Sequence, residues 1–197
     1  LAATKEGTQT VRFFVNGVQV GTATGAAVVT PGTLVLNGLY DNNGLGNSGS
    51  SFYMSNFRFI TGQALYTGNF NVPTGPLLAN TVGTTGANVA TTITNVANVA
   101  IVTAQTNRFM DTSLGNLALS QTGTVLVQSN NPWGTPYVAS TPYYSTSFNG
   151  TTDYINVAGS GIAIGSNNFT IEFFAYINAA VSSAAVFFDM RASTGAT

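Results

Sequence analysis

The chain has no cysteine and no histidine. Without cysteine it can form neither a disulfide framework nor a thiolate metal site. Without histidine it lacks the commonest general base, the commonest metal ligand and the usual pH switch near neutrality. Charge is scarce as well. Only 6% of the 197 residues are charged and the formal net charge is -1, whereas a soluble domain usually carries about 25%. The basic residues Lys5, Arg12, Arg58, Arg108 and Arg191 are scattered, so no nucleic-acid surface is expected. The most apolar long window, ANVATTITNVANVAIVTA (Ala87–Ala104), is interrupted throughout by Thr and Asn, so no membrane insertion is expected. No helical stripe with caps and no heptad repeat is present. No signal-peptide pattern stands at the front. The opening Leu and the closing RASTGAT read as the ends of a fragment or processed product.

What is present is 44% hydrophobic residues, enough for a core, set among Thr, Asn, Ser and Gly. Those residues favour strands and tight turns. The length suits one large or two small domains. In TVRFFVNGVQVGTA (Thr10–Ala23), two β-rich runs flank Asn16-Gly17, which predicts a two-residue type I′ hairpin. GTLVLNGLY (Gly32–Tyr40) reads as a strand and DNNGLGNSGSS (Asp41–Ser51) as a glycine-rich loop. SFYMSNFRFITG (Ser51–Gly62) reads as a strand with Tyr53, Ser55, Phe57 and Phe59 on one face. ALYTGNFNVPTGPLL (Ala64–Leu78) reads as an extended tail. Residues 79–104 read as a linker or a set of weak strands.

Further on, LALSQ and TVLVQ are short β-like runs joined near Thr122-Gly123, and PWGTPYVASTPYY reads as extended. DYINV (Asp153–Val157) predicts a strand with Ile155 and Val157 on one face. In FTIEFFAYI, Phe169, Ile171, Phe173, Ala175 and Ile177 face one way, and Thr170, Glu172, Phe174 and Tyr176 the other. AAVFFDM (Ala184–Met190) adds a strand. Many short strands with Gly/Asn turns predict an all-β sandwich or jelly roll.

FNGTTDYINV…NNFTIEFFAYI resembles the opening half of a laminin-G-like, concanavalin A-like jelly roll. Phe148, Asn149, Gly150, Asp153, Tyr154, Phe169, Thr170, Ile171, Glu172 and Phe173 carry that resemblance. VRFFVNGVQVGTA is similar to the family's later hairpin. MSNFRFITGQALYTGNFNVPTGPL resembles its closing strand and exit, as found in bacteriophage tail and virion proteins. NRFMDTSLGNLALSQTGTVLVQSNNPW resembles the connector between successive domains there. The resemblance implies a C-terminal half-domain at 1–78, an inter-domain connector with short strands at 79–146, and an N-terminal half-domain at 147–197. The halves fit either two neighbouring domains or one circularly permuted sandwich, in which 147–157 would pair with 52–60.

The same resemblance implies a non-enzymatic virion or tail-fibre module, with a virion or extracellular location. Its role would be host-surface glycan adhesion or fibre spacing, and its partners other virion proteins, copies of itself, or host glycans. An extracellular bacterial lectin or adhesin domain is the alternative. No catalytic constellation stands out. The related sandwich glycosidases use closely spaced carboxylates, but Glu172 is alone in its strand and reads as solvent-facing. Asp189 and Arg191 read as a surface pair. The candidate ligand-binding residues fall in two groups. Asp41, Asn42, Asn43 and Asn47 form an oxygen-rich loop that could take calcium or simply make Asx turns. Trp133, Tyr137, Tyr143 and Tyr144 are rings suited to stacking on sugars or to packing the connector. Asn149 and Asn168 each open a glycosylation sequon, read as chance in a phage or bacterial protein.

Overall fold

The computed structural model describes residues 1–7, 10–24, 34–41, 44–47, 50–133, 144–158, 162, 164–178 and 185–190. Its strands are all antiparallel, in two sheets and a short hairpin. The larger sheet runs in the order β10 (Leu126–Gln128), β11 (Ser145–Asn149), β7 (Ser51–Thr61), β13 (Phe169–Ile177), β1 (Ala2–Glu6), β2 (Thr10–Val15) and β3 (Val18–Thr24). The smaller runs β14 (Phe188–Asp189), β4 (Leu34–Leu36), β12 (Tyr154–Ala158) and β9 (Ala118–Thr122). Phe52, Phe57, Phe59, Phe148 and Phe173 of the larger sheet meet Leu34, Leu36, Ile155 and Val157 of the smaller in one buried cluster. The architecture is therefore all-β, with two sheets sharing a core as in a β-sandwich. Each of these side chains contributes about 1.5–3 kcal/mol by leaving water.

The hairpin at Asn16-Gly17 forms as predicted. Both residues have positive φ, 49° and 76°, the pairing that a type I′ turn requires. The predicted pairing of 147–157 with 52–60 forms at one end only. Thr146–Asn149 pair with Ser51–Met54, whereas Tyr154–Ala158 crosses to the smaller sheet between β4 and β9. LALSQ and TVLVQ likewise part company, β9 joining β12 and β10 joining β11. Residues 41–51 are not simply a loop, because β5 (Gly38–Asp41) and β6 (Gly44–Asn47) form a hairpin. Within 79–104, Val99–Thr103 is a fully buried strand, β8, paired with β7. Of the expected strand at 184–190, the described residues 185–190 contain the two residues of β14.

Strand β7 departs from simple alternation. Asn56 sits at φ 56°, and the register with β13 slips between Glu172 and Phe174. Glu172 lies opposite Arg58, but Phe174 lies opposite Ser55, so β7 carries one extra residue in a β-bulge. The bulge inverts the predicted faces. Phe52 and Met54 point into the core with Phe57 and Phe59, and Tyr53 and Ser55 turn outward. The bulge is pinned by its own side chain. Asn56 Oδ1 accepts from the Leu77 N–H (3.1 Å) and Gln105 Nε2 (2.6 Å), and Nδ2 donates to Ser55 Oγ (2.8 Å). It also marks where β7 changes partner. Strand β11 occupies this edge up to Met54 and β8 occupies it from Phe57.

The outer face of the larger sheet is half covered. Residues 62–98 cross it, burying Leu65, Tyr66, Val82, Val89 and Ile93 against Phe14, Ile60, Val99 and Val102. Arg58 fastens this cover to the sheet, donating to the carbonyls of Leu78 (2.5 Å), Thr81 (2.6 Å) and Val82 (2.9 Å). Glu172 accepts from Arg58 Nε (2.9 Å) and Nη2 (2.6 Å) on one oxygen and from the Tyr66 hydroxyl (2.7 Å) on the other. The solvent-facing reading of Glu172 is thereby corrected, since it is 3% exposed. The outer face of β13 is polar at this point to meet a buried guanidinium and phenol, not water. No helix among the described residues is long and apolar enough to cross a membrane.

Candidate functional site

Beyond the cover, the outer face lies open as a groove of about 480 Å³, within the usual size range of small-molecule sites. Its floor is Tyr53 and Ser55 of β7, Phe174 and Tyr176 of β13, and Ser145 of β11. Its wall is the turn Ser129–Pro132 that follows β10. The bulge at Asn56 is what allows Tyr53 and Ser55 to share this face with Phe174 and Tyr176. Tyr53 and Tyr176 are direct cross-strand partners, with ring centroids 6.1 Å apart at 46°. Tyr176 is 71% exposed, so an aromatic surface stands in water beside amide and hydroxyl groups.

The wall is held by an Asx turn, in which Asn131 Oδ1 accepts from the Trp133 N–H (2.9 Å). The Trp133 ring then packs edge-on against Phe174 at 5.2 Å and 71°, and its Nε1 approaches the Pro73 carbonyl at 3.5 Å. Trp133 thus joins the groove to the cover. On the floor, Ser55 Oγ donates to the Tyr144 carbonyl (2.8 Å) and accepts from Asn56. Ser145 Oγ differs, being buried, with its residue 3% exposed, and making no hydrogen bond. A buried hydroxyl without a partner is uncommon in folded proteins.

Of the predicted ring residues, Trp133 reaches the groove wall. Tyr144 does not offer a stacking face. It is 9% exposed, and its backbone serves the junction by donating its N–H to the Gln105 carbonyl (3.1 Å) and accepting from Ser55. Tyr137 and Tyr143 lie outside the described residues, as do Asn42 and Asn43. The ladder places Asp41 against Gly44 and Asn47 against Gly38, at opposite ends of the β5–β6 hairpin and on a different element from the groove. No three His, Cys, Asp or Glu residues cluster among the described residues. Asp189 is buried in β14, and Arg191 lies outside the described residues. The Asn149 amide is occupied in a turn, its Oδ1 accepting from the Thr151 and Thr152 N–H groups at 2.8 and 3.0 Å.

Sequence reasoning missed Tyr53, Tyr176 and Ser145. The signal for Tyr176 was its place on the β13 face opposite the core. Tyr53 was hidden because strict alternation grouped it with Phe57 and Phe59. Comparison with protein-family models, with curated proteins and with solved structures returns no match.

Proposed function

We propose that this chain is a non-enzymatic carbohydrate-adhesion module of a virion, built as a laminin-G-like, concanavalin A-like jelly roll of the kind found in phage tail fibres. The pairing of β11 with β7 supports the jelly-roll reading, because it joins an opening-half strand to a closing-half strand. Host-surface glycans are the ligands and other virion proteins the structural partners. The observation that carries the reading is the Tyr53–Tyr176 pair, a half-buried ring beside an exposed one, flanked by Ser and Asn side chains. Sugar rings present apolar C–H faces and peripheral hydroxyls, and they match a surface that couples rings to neutral hydrogen-bonding groups.

The test is binding of the labelled chain to a glycan array and to candidate host cells. Saturable, sugar-competed binding that is lost in Tyr53→Ala/Tyr176→Ala supports adhesion at this groove. A folded chain that binds no glycan and no cell overturns adhesion. Purified particles that lack the protein overturn the virion assignment.

A further inference from the structure

We infer that the groove selects uncharged saccharides and rejects anionic ones. This deepens the glycan-binding reading and rests on it. The first observation is the composition of the groove. Among the described residues, Tyr, Phe, Ser, Asn, Pro and Ala line it, with no Lys, Arg, Asp or Glu. The sequence agrees beyond the lining itself, since no charged residue occurs between Asp111 and Asp153, the stretch that supplies β10, the wall and Ser145. The next charges along β7 and β13 are Arg58 and Glu172. They are buried under the cover and paired with each other at 2.6 Å, so neither is available to a ligand.

The second observation is Ser145 Oγ, a nine-tenths buried hydroxyl on the groove floor without a hydrogen-bond partner. A hydroxyl can donate once and accept twice. A sugar hydroxyl is its complement, able to do both in return. A carboxylate or sulfate can only accept. In this open groove it would exchange part of its hydration for one hydroxyl and a few amide donors, with no cation among the described lining residues to balance it, and even partial desolvation of an ion on those terms is unfavourable. A neutral hydroxyl-rich ligand loses much less. Tyr53 and Tyr176 would carry the sugar face while Ser145 reads one hydroxyl.

The experiment titrates the wild-type chain with neutral malto-, cello- and mannohexaose, and with hexagalacturonate and sialylated oligosaccharides, at about 50 mM and about 500 mM salt. At least one neutral oligomer is expected to bind with an affinity insensitive to salt. Its binding should weaken about tenfold in Tyr176→Ala and several-fold in Ser145→Ala. Each acidic ligand should bind at least about tenfold more weakly than the neutral one. Ser145→Gly, which also deletes the hydroxyl, repeats the Ser145 test should the Ala variant fail to fold. Acidic ligands that bind as tightly as neutral ones, and still depend on Tyr176, would overturn the selectivity while leaving glycan binding intact. If no saccharide of either class binds the folded chain, the glycan reading falls and the selectivity with it.

Discussion

Tyr53 and Tyr176 face each other across neighbouring strands, with ring centroids 6.1 Å apart, on the outer surface of the larger sheet. They meet there because the bulge at Asn56 turns Tyr53 away from the core that holds Phe57. Tyr176 is largely exposed, so its ring contributes little to folding. Tyr176→Ala is expected to change stability by no more than about 0.5 kcal/mol while weakening glycan binding about tenfold. Urea unfolding and calorimetric titration check the two halves separately.

The Asn56 side chain and its backbone make separable contributions. Asn56→Gly keeps a left-handed φ accessible but strips partners from the Leu77 N–H and Gln105. A loss of about 1–3 kcal/mol is expected. Asn56→Ala loses the same hydrogen bonds and adds the steric strain of φ 56°, a further cost of roughly 1 kcal/mol. Denaturant unfolding of both variants measures the difference. An Ala variant no less stable than the Gly variant would show that the bulge is not held in this conformation.

Glu172 and Arg58 form a buried pair that ties the cover at 62–98 to the sheet. Glu172→Gln leaves the guanidinium buried without its counter-charge, at a cost of about 3–5 kcal/mol. The urea midpoint should fall accordingly at unchanged slope. A loss below about 1 kcal/mol would mean that Arg58 finds water or another anion when Glu172 is neutralised.

Tyr66 makes the same network sensitive to alkali. Burial first, then the Glu172 carboxylate beside it, raises the phenol well above its ordinary value near 10. The folded state therefore keeps a proton that the unfolded chain releases above about pH 10. The stabilisation is whole below that pH. Above it, stability falls by about 1.4 kcal/mol per pH unit until the folded-state phenol ionises. Tyr66→Phe, less stable at neutral pH because Glu172 loses a donor, should show a shallower alkaline decline. Parallel slopes for the two proteins above pH 10 would contradict this.

The strands were the most legible part of the fold, because alternation along FTIEFFAYI and DYINV, and the φ preferences of Asn16-Gly17, are local properties. The pairing of 147–157 with 52–60 is expected from the resemblance and not from the strands themselves, and it forms only where 146–149 meets 51–54. Legibility failed where a non-local partner decides. Glu172 reads as a surface residue by pattern, yet Arg58 and Tyr66, distant in sequence, make it an interior one. Tyr53 changes face through one extra residue at Asn56, and only the neighbouring strands reveal that residue as extra. Trp133, which the sequence offered as a candidate, packs on Phe174 beside the groove and is not among its lining residues. Ser145 gave no signal, since nothing in the identity of a serine tells that its hydroxyl will be buried without a partner.

Trp133 is the sole tryptophan, and it packs on the groove residue Phe174 and reaches the Pro73 carbonyl of the cover, so its fluorescence reports on the groove and the adjoining edge of the cover. The most direct measurement is the emission of Trp133 during titration with a neutral oligosaccharide that scores on the array, in wild type and in Tyr53→Ala/Tyr176→Ala. A saturable change in wild type that disappears in the double variant is the predicted result. A saturable change of equal affinity in both proteins, or binding by calorimetry with no response from Trp133, would contradict the placement of the ligand in this groove.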